Sequence, residues 1–72
     1  MRIDQALERS VRALGGVWDT QRAVTALHAA GRHDGDQRQQ DKRARYALRK
    51  LAANGLLVKI QDRPVQYRAA EQ

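Results

Sequence analysis

Apolar positions recur at helical spacing in the first part of the chain and predict two helices. The first stripe has spacings of four, four and three positions, which place its members on one helical face: Ile3, Leu7, Val11 and Leu14. Gly15-Gly16 follows, and glycine readily takes the left-handed conformation that ends a helix. We therefore expect the first helix over 3–14.

The second stripe consists of small and medium-sized residues, namely Ala23, Val24, Leu27 and Ala30. Asp19 or Thr20 is a suitable N-cap and Gly31 a suitable stop, so we expect the second helix over 20–30. Between the two helices, the Val17-Trp18 segment is too short to indicate a full strand, and we expect it to be extended. Trp18 is the sole tryptophan in a chain without phenylalanine, and we expect it to anchor the core rather than to stack on a nucleic-acid base.

A third helix is predicted over 37–54, because apolar residues again share one side of the helical wheel: Ala44, Ala47, Leu48, Leu51 and Ala52. The polar turn before it ends in Asp36, which is placed to cap the helix. The first two turns, 37–43, contain no apolar residue. We therefore expect this end to lack contacts that anchor it and to be the least ordered part of the free protein.

After Gly55 the spacing of apolar residues changes from helical to alternating. Leu56, Val58 and Ile60 alternate with their neighbours, Asp62-Arg63-Pro64 has the composition of a turn, and alternation resumes from Val65. This pattern predicts a β-hairpin over 56–69, followed by a frayed tail over 70–72. The expected fold is an α+β single domain over 1–72 with three helices and a two-stranded hairpin.

Charge is distributed unevenly along the chain. The 72 residues contain fourteen Lys and Arg against eight Asp and Glu, and no cysteine. Six of the cations lie between Arg38 and Lys50, where Asp41 is the sole acid. A cluster on one helix favours a polyanionic partner over a general contribution to solubility. Four other arginines are expected to be ordinary surface charges: Arg2, Arg9, Arg12 and Arg22.

The stretch ALRKLAANGLLVKIQDRPVQYRA, with the order of elements before it, resembles the winged helix-turn-helix superfamily of bacterial DNA-binding proteins. The resemblance rests on an A-x-x-x-L-x-x-L helix, a G-L-L step and a tyrosine in the hairpin: Ala44, Leu48, Leu51, Gly55, Leu56, Leu57 and Tyr67. It implies that the third helix enters the DNA major groove and that the hairpin, or wing, touches backbone or minor groove. The turn before the third helix is longer and more polar than in the simplest helix-turn-helix.

Carried over by position, the resemblance implies two groups of DNA contacts. The recognition-helix group is Arg38, Gln39, Lys42, Arg43, Arg45, Tyr46, Arg49 and Lys50. The wing group is Lys59, Arg63 and Arg68. Arginine and glutamine side chains read guanine and adenine edges, and lysine and arginine contact phosphates. We expect Arg45 and Tyr46 nearest the bases, Arg49 and Lys50 on phosphate, and Arg63 in a narrow minor groove.

The expected function is sequence-specific binding of double-stranded DNA by a small transcriptional regulator or a phage- or plasmid-type factor. It would act in the bacterial cytoplasm on the nucleoid, as a homodimer or in several copies along DNA. The alternative is a protein-interaction module that docks an acidic partner. No enzyme activity, metal, cofactor, small-molecule ligand or membrane association is expected. The spacing of His28 and His33 matches no common zinc pattern, and a polar loop with a capping aspartate explains His33, Asp34 and Asp36 more simply than a metal site does.

Overall fold

The computed structural model describes residues 2–70, which form three helices and a three-stranded antiparallel sheet. The elements are α1 (Ile3–Leu14), β1 (Val17–Asp19), α2 (Thr20–Ala29), α3 (Gln37–Ala53), β2 (Leu57–Asp62) and β3 (Val65–Ala69). The sheet order is β1-β3-β2. The expected α+β class, the helix positions and the hairpin are therefore confirmed.

The sheet has one strand more than the sequence predicts. Val17 to Asp19 pair with β3 in antiparallel register, with Trp18 opposite Tyr67. The short segment lacks enough residues to show a period of two, and its strand conformation depends on hydrogen bonds to a partner about fifty positions away in the chain. The expectation of an extended segment was correct, and its pairing with the hairpin as a third strand is an addition that the sequence did not predict.

The core lies between the three helices and the inner face of this sheet. α3 contributes four residues without any exposed surface: Ala44, Ala47, Leu48 and Leu51. Trp18 is also fully buried, and its indole Nε1 donates to the Gly15 carbonyl at 3.1 Å. Trp18 is thus the core anchor that the sequence predicts, and its burial excludes a role as a platform for a base.

Gly55 connects α3 to the hairpin. Its φ of +83° lies in the left-handed region, and nothing contacts the position of a Cβ there. The Leu56 amide donates to the Leu51 carbonyl at 2.9 Å and the Gly55 amide to the Ala52 carbonyl at 3.1 Å. These two bonds form a Schellman motif, which ends α3 and turns the chain into β2. At the base of the hairpin, next to Gly55, the amide of Ala70 donates to the Leu56 carbonyl at 3.0 Å, so Ala70 is not frayed. The other two tail residues, 71 and 72, lie outside the described range.

β2 contains an irregularity that changes which side chains share a face. Lys59 pairs with Tyr67 and Gln61 with Gln66, so Ile60 is an extra residue in the ladder. Lys59 and Asp62, three positions apart, would lie on opposite faces of a regular strand. The bulge at Ile60 instead places both on the face that carries Tyr67.

Arg22 supports the junction between α1, β1 and α2 rather than acting as an ordinary surface charge. Its guanidinium lies over the Trp18 ring, with Cζ 4.0 Å from the ring centroid. The same side chain donates to the Gly15 carbonyl at 3.1 Å and to the Val17 carbonyl at 2.7 Å. Nothing in the periodicity distinguishes this arginine, since the contacts depend on how the Gly15-Gly16 turn folds back.

We predict that Arg22→Ala lowers the free energy of unfolding by about 1.5–3 kcal/mol, because it removes a cation–π contact and two charged hydrogen bonds. Arg9→Ala makes the same change of charge at an exposed position of α1. It should change the free energy of unfolding by less than about 0.5 kcal/mol. Urea denaturation followed by Trp18 fluorescence measures both. Equal effects of the two substitutions would contradict a structural role for Arg22.

Candidate nucleic-acid interface

The first turn of α3 is held by reciprocal hydrogen bonds between Asp36 and Gln39. Asp36 Oδ1 accepts from the Gln39 amide at 2.9 Å, and Gln39 Oε1 accepts from the Asp36 amide at 3.2 Å. This is a capping box, with glutamine at the third helical position. The helix therefore begins at Gln37, and Asp36 is the N-cap that the sequence predicts.

Gln40 ties the beginning of α3 to the preceding turn. Its Nε2 donates to the carbonyls of His33 at 3.2 Å and Gly35 at 2.9 Å, while its Oε1 lies 2.8 Å from His28 Nε2 on α2. The expectation that 37–43 lacks anchoring contacts was wrong. The segment has no apolar side chains of its own, and hydrogen bonds from the polar side chain of Gln40 hold it instead. Whether it is less ordered in the free protein stays a prediction.

Arg43 is the one α3 cation that forms an ion pair among the described residues. Its Nη1 lies 3.0 Å from Asp34 Oδ1, and its Nη2 donates to the Asp34 backbone carbonyl. The hydrogen bond from Arg43 lowers the pKa of the Asp34 carboxyl. Arg43 thus links the turn before α3 to the helix. This role differs from the DNA contact that the sequence predicts for it.

A row of cations follows the outer side of α3. Lys42, Arg45 and Arg49 are spaced by three and four positions and are exposed, and we call them the cationic ridge. Within residues 2–70, no carboxylate lies within 4.0 Å of the charged nitrogens of the ridge, nor of four further candidates: Arg38, Lys50, Arg63 and Arg68. Tyr46, whose side chain adjoins the ridge, is 46% exposed. The ridge is thus a concentration of positive charge without internal compensation.

Two concavities flank the ridge and share Lys42 and Arg49. One, of about 500 Å³, lies toward the turn before α3 and is also lined by Asp34, Gln39, Arg43 and Tyr46. The other, of about 240 Å³, lies between α3 and the hairpin, and we call it the hairpin cleft. Both are open depressions rather than enclosed cavities. The ridge lies between them and protrudes from this surface.

The hairpin brings one of its three expected cations next to the ridge. Lys59 lines the hairpin cleft, where its Nζ lies 3.0 Å from Asp62 Oδ1 and this hydrogen bond raises the pKa of Lys59. Arg63 lies in the exposed turn at the hairpin tip. Arg68 is exposed next to buried Tyr67 and pairs across the sheet with Val17 and Val58, so it lies on the face that points away from the core.

Sequence patterns did not identify two acids in this surface, Asp34 and Asp62. Both are highly exposed, and each pairs with a residue expected to contact DNA. The only sequence signal for Asp62 is its spacing of three from Lys59, which suggests a pair in a helix but not in a regular strand. The pairing depends on the bulge at Ile60, which has no recognisable signature.

Comparison of the chain with protein-family models, curated proteins and solved structures finds no match. Across residues 2–70, none of the helices combines the length and apolar character needed to cross a bilayer. The same described residues contain no group of three or more metal-ligating side chains. Function is therefore inferred from the geometry and charge of the α3 surface.

We predict that Gln40→Ala speeds amide hydrogen exchange over residues 39–43 by roughly fivefold, since it removes hydrogen bonds that connect α3 to the turn. Gln37→Ala is the matched control, because the one side-chain hydrogen bond of Gln37 within the described part of the chain goes to Asp41 in the same helix, at 2.8 Å. Exchange is followed by NMR for each amide. An indistinguishable response to the two substitutions would show that Gln40 does not anchor this end.

Proposed function

We propose that this chain is a sequence-specific double-stranded DNA-binding protein of the winged helix-turn-helix kind, acting as a small transcriptional regulator or a phage- or plasmid-type DNA-binding factor. The observation that carries the proposal is the two-sided character of α3. One side is fully buried in the core, and the other presents the cationic ridge, which has no acidic partner among residues 2–70. A helix oriented in this way meets a polyanion along its length.

The order of the elements supports the winged-helix assignment. A helix, a short strand, two helices and a hairpin follow one another along the chain, and α3 leads directly into the hairpin through the Gly55 turn. β1 joins the hairpin to form one sheet. Lys59 then lies beside the ridge, which suits a wing that touches the DNA backbone next to the reading helix.

The dimensions of α3 suit the DNA major groove. Its 17 residues give a length of about 25 Å at 1.5 Å per residue. The major groove of B-DNA, about 12 Å wide, admits an α-helix. Arg45 and Tyr46 at mid-helix would lie closest to the base edges, with Arg49 and Lys50 on phosphates. Arg43, already paired with Asp34, would orient the turn unless DNA draws it away.

The proposed activity is binding rather than catalysis, and its specificity would come from arginine contacts. A bidentate arginine–guanine pair contributes about 1–3 kcal/mol of discrimination against the wrong base. A single module of this type buries only about 600–1,000 Å² of protein surface on DNA. Tight binding would therefore use a homodimer or several copies along the duplex.

A docking module for a protein partner is the second candidate, on a surface other than the cationic ridge that the expected acidic partner would meet. It is favoured by exposed apolar side chains on the sheet face that points away from the core: Val17 and Val58, each about half exposed. This face carries Arg68 but none of the ridge cations. The two candidates differ in the surface used, so a substitution in the ridge tests the DNA proposal directly.

We predict that Arg45→Ala combined with Arg49→Ala weakens binding to the selected duplex by at least roughly thirtyfold, because two charged contacts are lost from the reading face. The target sequence is obtained first by selection from random duplex DNA. Fluorescence anisotropy then measures affinity, and circular dichroism checks that the fold is intact.

The matched control is Arg9→Ala combined with Arg12→Ala, which removes two charges from α1. It should weaken the affinity for the selected duplex by less than about threefold, since these charges act on DNA only at long range. Equal losses from both double variants would contradict the placement of the reading face on α3. Failure of the selection to enrich any sequence would contradict sequence specificity.

A further inference from the structure

The hairpin cleft contains one carboxylate among four cations. Its α3 wall carries Lys42, Arg45 and Arg49, and its β2 wall carries Lys59 and Asp62. Asp62 reaches this position only because the bulge at Ile60 places it on the same strand face as Lys59. A regular strand would have left the acid on the other face and the cleft entirely cationic.

Asp62 and Lys59 form an ion pair that a competing anion can separate. Their charged atoms are 3.0 Å apart, and their side chains keep 82% and 52% of their surface exposed. Exposed pairs of this kind contribute little to stability, because water solvates both partners well when they separate. The three ridge cations beside them have no acidic partner within the described chain, so they attract a second anion into the same cleft.

We propose that the hairpin cleft receives a backbone phosphate and that Asp62 is an internal counter-ion which this phosphate displaces from Lys59. The source of the phosphate rests on the proposed function, in which the polyanion is duplex DNA. Asp62 holds Lys59 at the cleft in the free protein and also opposes every incoming phosphate. It therefore lowers the affinity for any nucleic acid and leaves a larger share of the binding free energy to the base contacts of α3.

A phosphate can replace Asp62 because the cleft offers it more donors. The carboxylate of Asp62 bonds to Lys59 alone among the charged side chains that line the cleft. A phosphate placed between the two walls would accept from Lys59 and from the ridge at once. Each such contact releases a counter-ion condensed on DNA, which adds a favourable term that an internal carboxylate lacks.

The test compares Asp62→Asn with Glu8→Gln in binding to duplex DNA at low ionic strength. Both substitutions remove one negative charge from an exposed ion pair, since Glu8 pairs with Arg12 on α1 at 2.9 Å. Asp62→Asn should raise the affinity for selected and random duplexes alike by roughly three- to fivefold. Glu8→Gln should change it by less than about 1.5-fold, because distant exposed charges are screened. Lys59→Gln should weaken binding.

A second measurement separates this inference from the proposed function. NMR follows the Lys59 and Asp62 signals of the wild-type protein as inorganic phosphate is added, with sodium chloride of equal ionic strength as the control. We expect phosphate-specific shifts that Lys59→Gln abolishes. These shifts without duplex binding would support the phosphate cleft and refute the DNA proposal. The protein could instead bind duplex DNA while Asp62→Asn and Glu8→Gln have equal effects, or while Asp62→Asn weakens binding. Either result would overturn the role of Asp62 and leave the DNA proposal standing.

Discussion

Burial of one face of α3 determines how the surface of this protein is arranged. Ala44, Ala47, Leu48 and Leu51 have no exposed surface, and the two alanines let neighbouring helices approach closely. Close packing fixes the rotation of the helix about its axis, and this rotation decides where the opposite face points. The cationic ridge therefore has a defined direction even though none of its own side chains is held by an ion pair within the described residues.

Concentrating positive charge on one helix carries a cost, because the ridge cations repel one another. The structure offsets this at the beginning of α3 with polar contacts: the Asp36 cap, the Gln40 hydrogen bonds and the pair between Arg43 and Asp34. These contacts hold the helix to the turn without neutralising the ridge. Binding of a polyanion, as proposed, would relieve the repulsion that remains in the free protein, so the same arrangement that limits stability would favour association.

The sequence predicted the helices well because each combines a repeating apolar stripe with a recognisable cap, as in 3–14 and at Asp36. It predicted the exposed side of α3 for the same reason. It did not predict β1 pairing, the Gln40 contacts or the position of Arg22 over Trp18, because each depends on a partner that only the folded chain brings near. The sequence also did not predict the bulge at Ile60, because the bulge depends on how β2 pairs with β3. The position of Asp62 in the cleft follows from that bulge and was therefore not predicted either.

If the α3 surface binds DNA through its phosphates as well as its bases, as we propose, the affinity for duplex DNA must depend on salt concentration. The logarithm of the affinity for duplex DNA should fall linearly with the logarithm of salt concentration, with a slope of about −0.9 for each phosphate contacted. Phosphate contacts from Lys42, Arg49, Lys50 and Lys59 predict a slope of roughly −3 to −4. A slope near zero, or no binding to duplex DNA at low salt, would contradict the account.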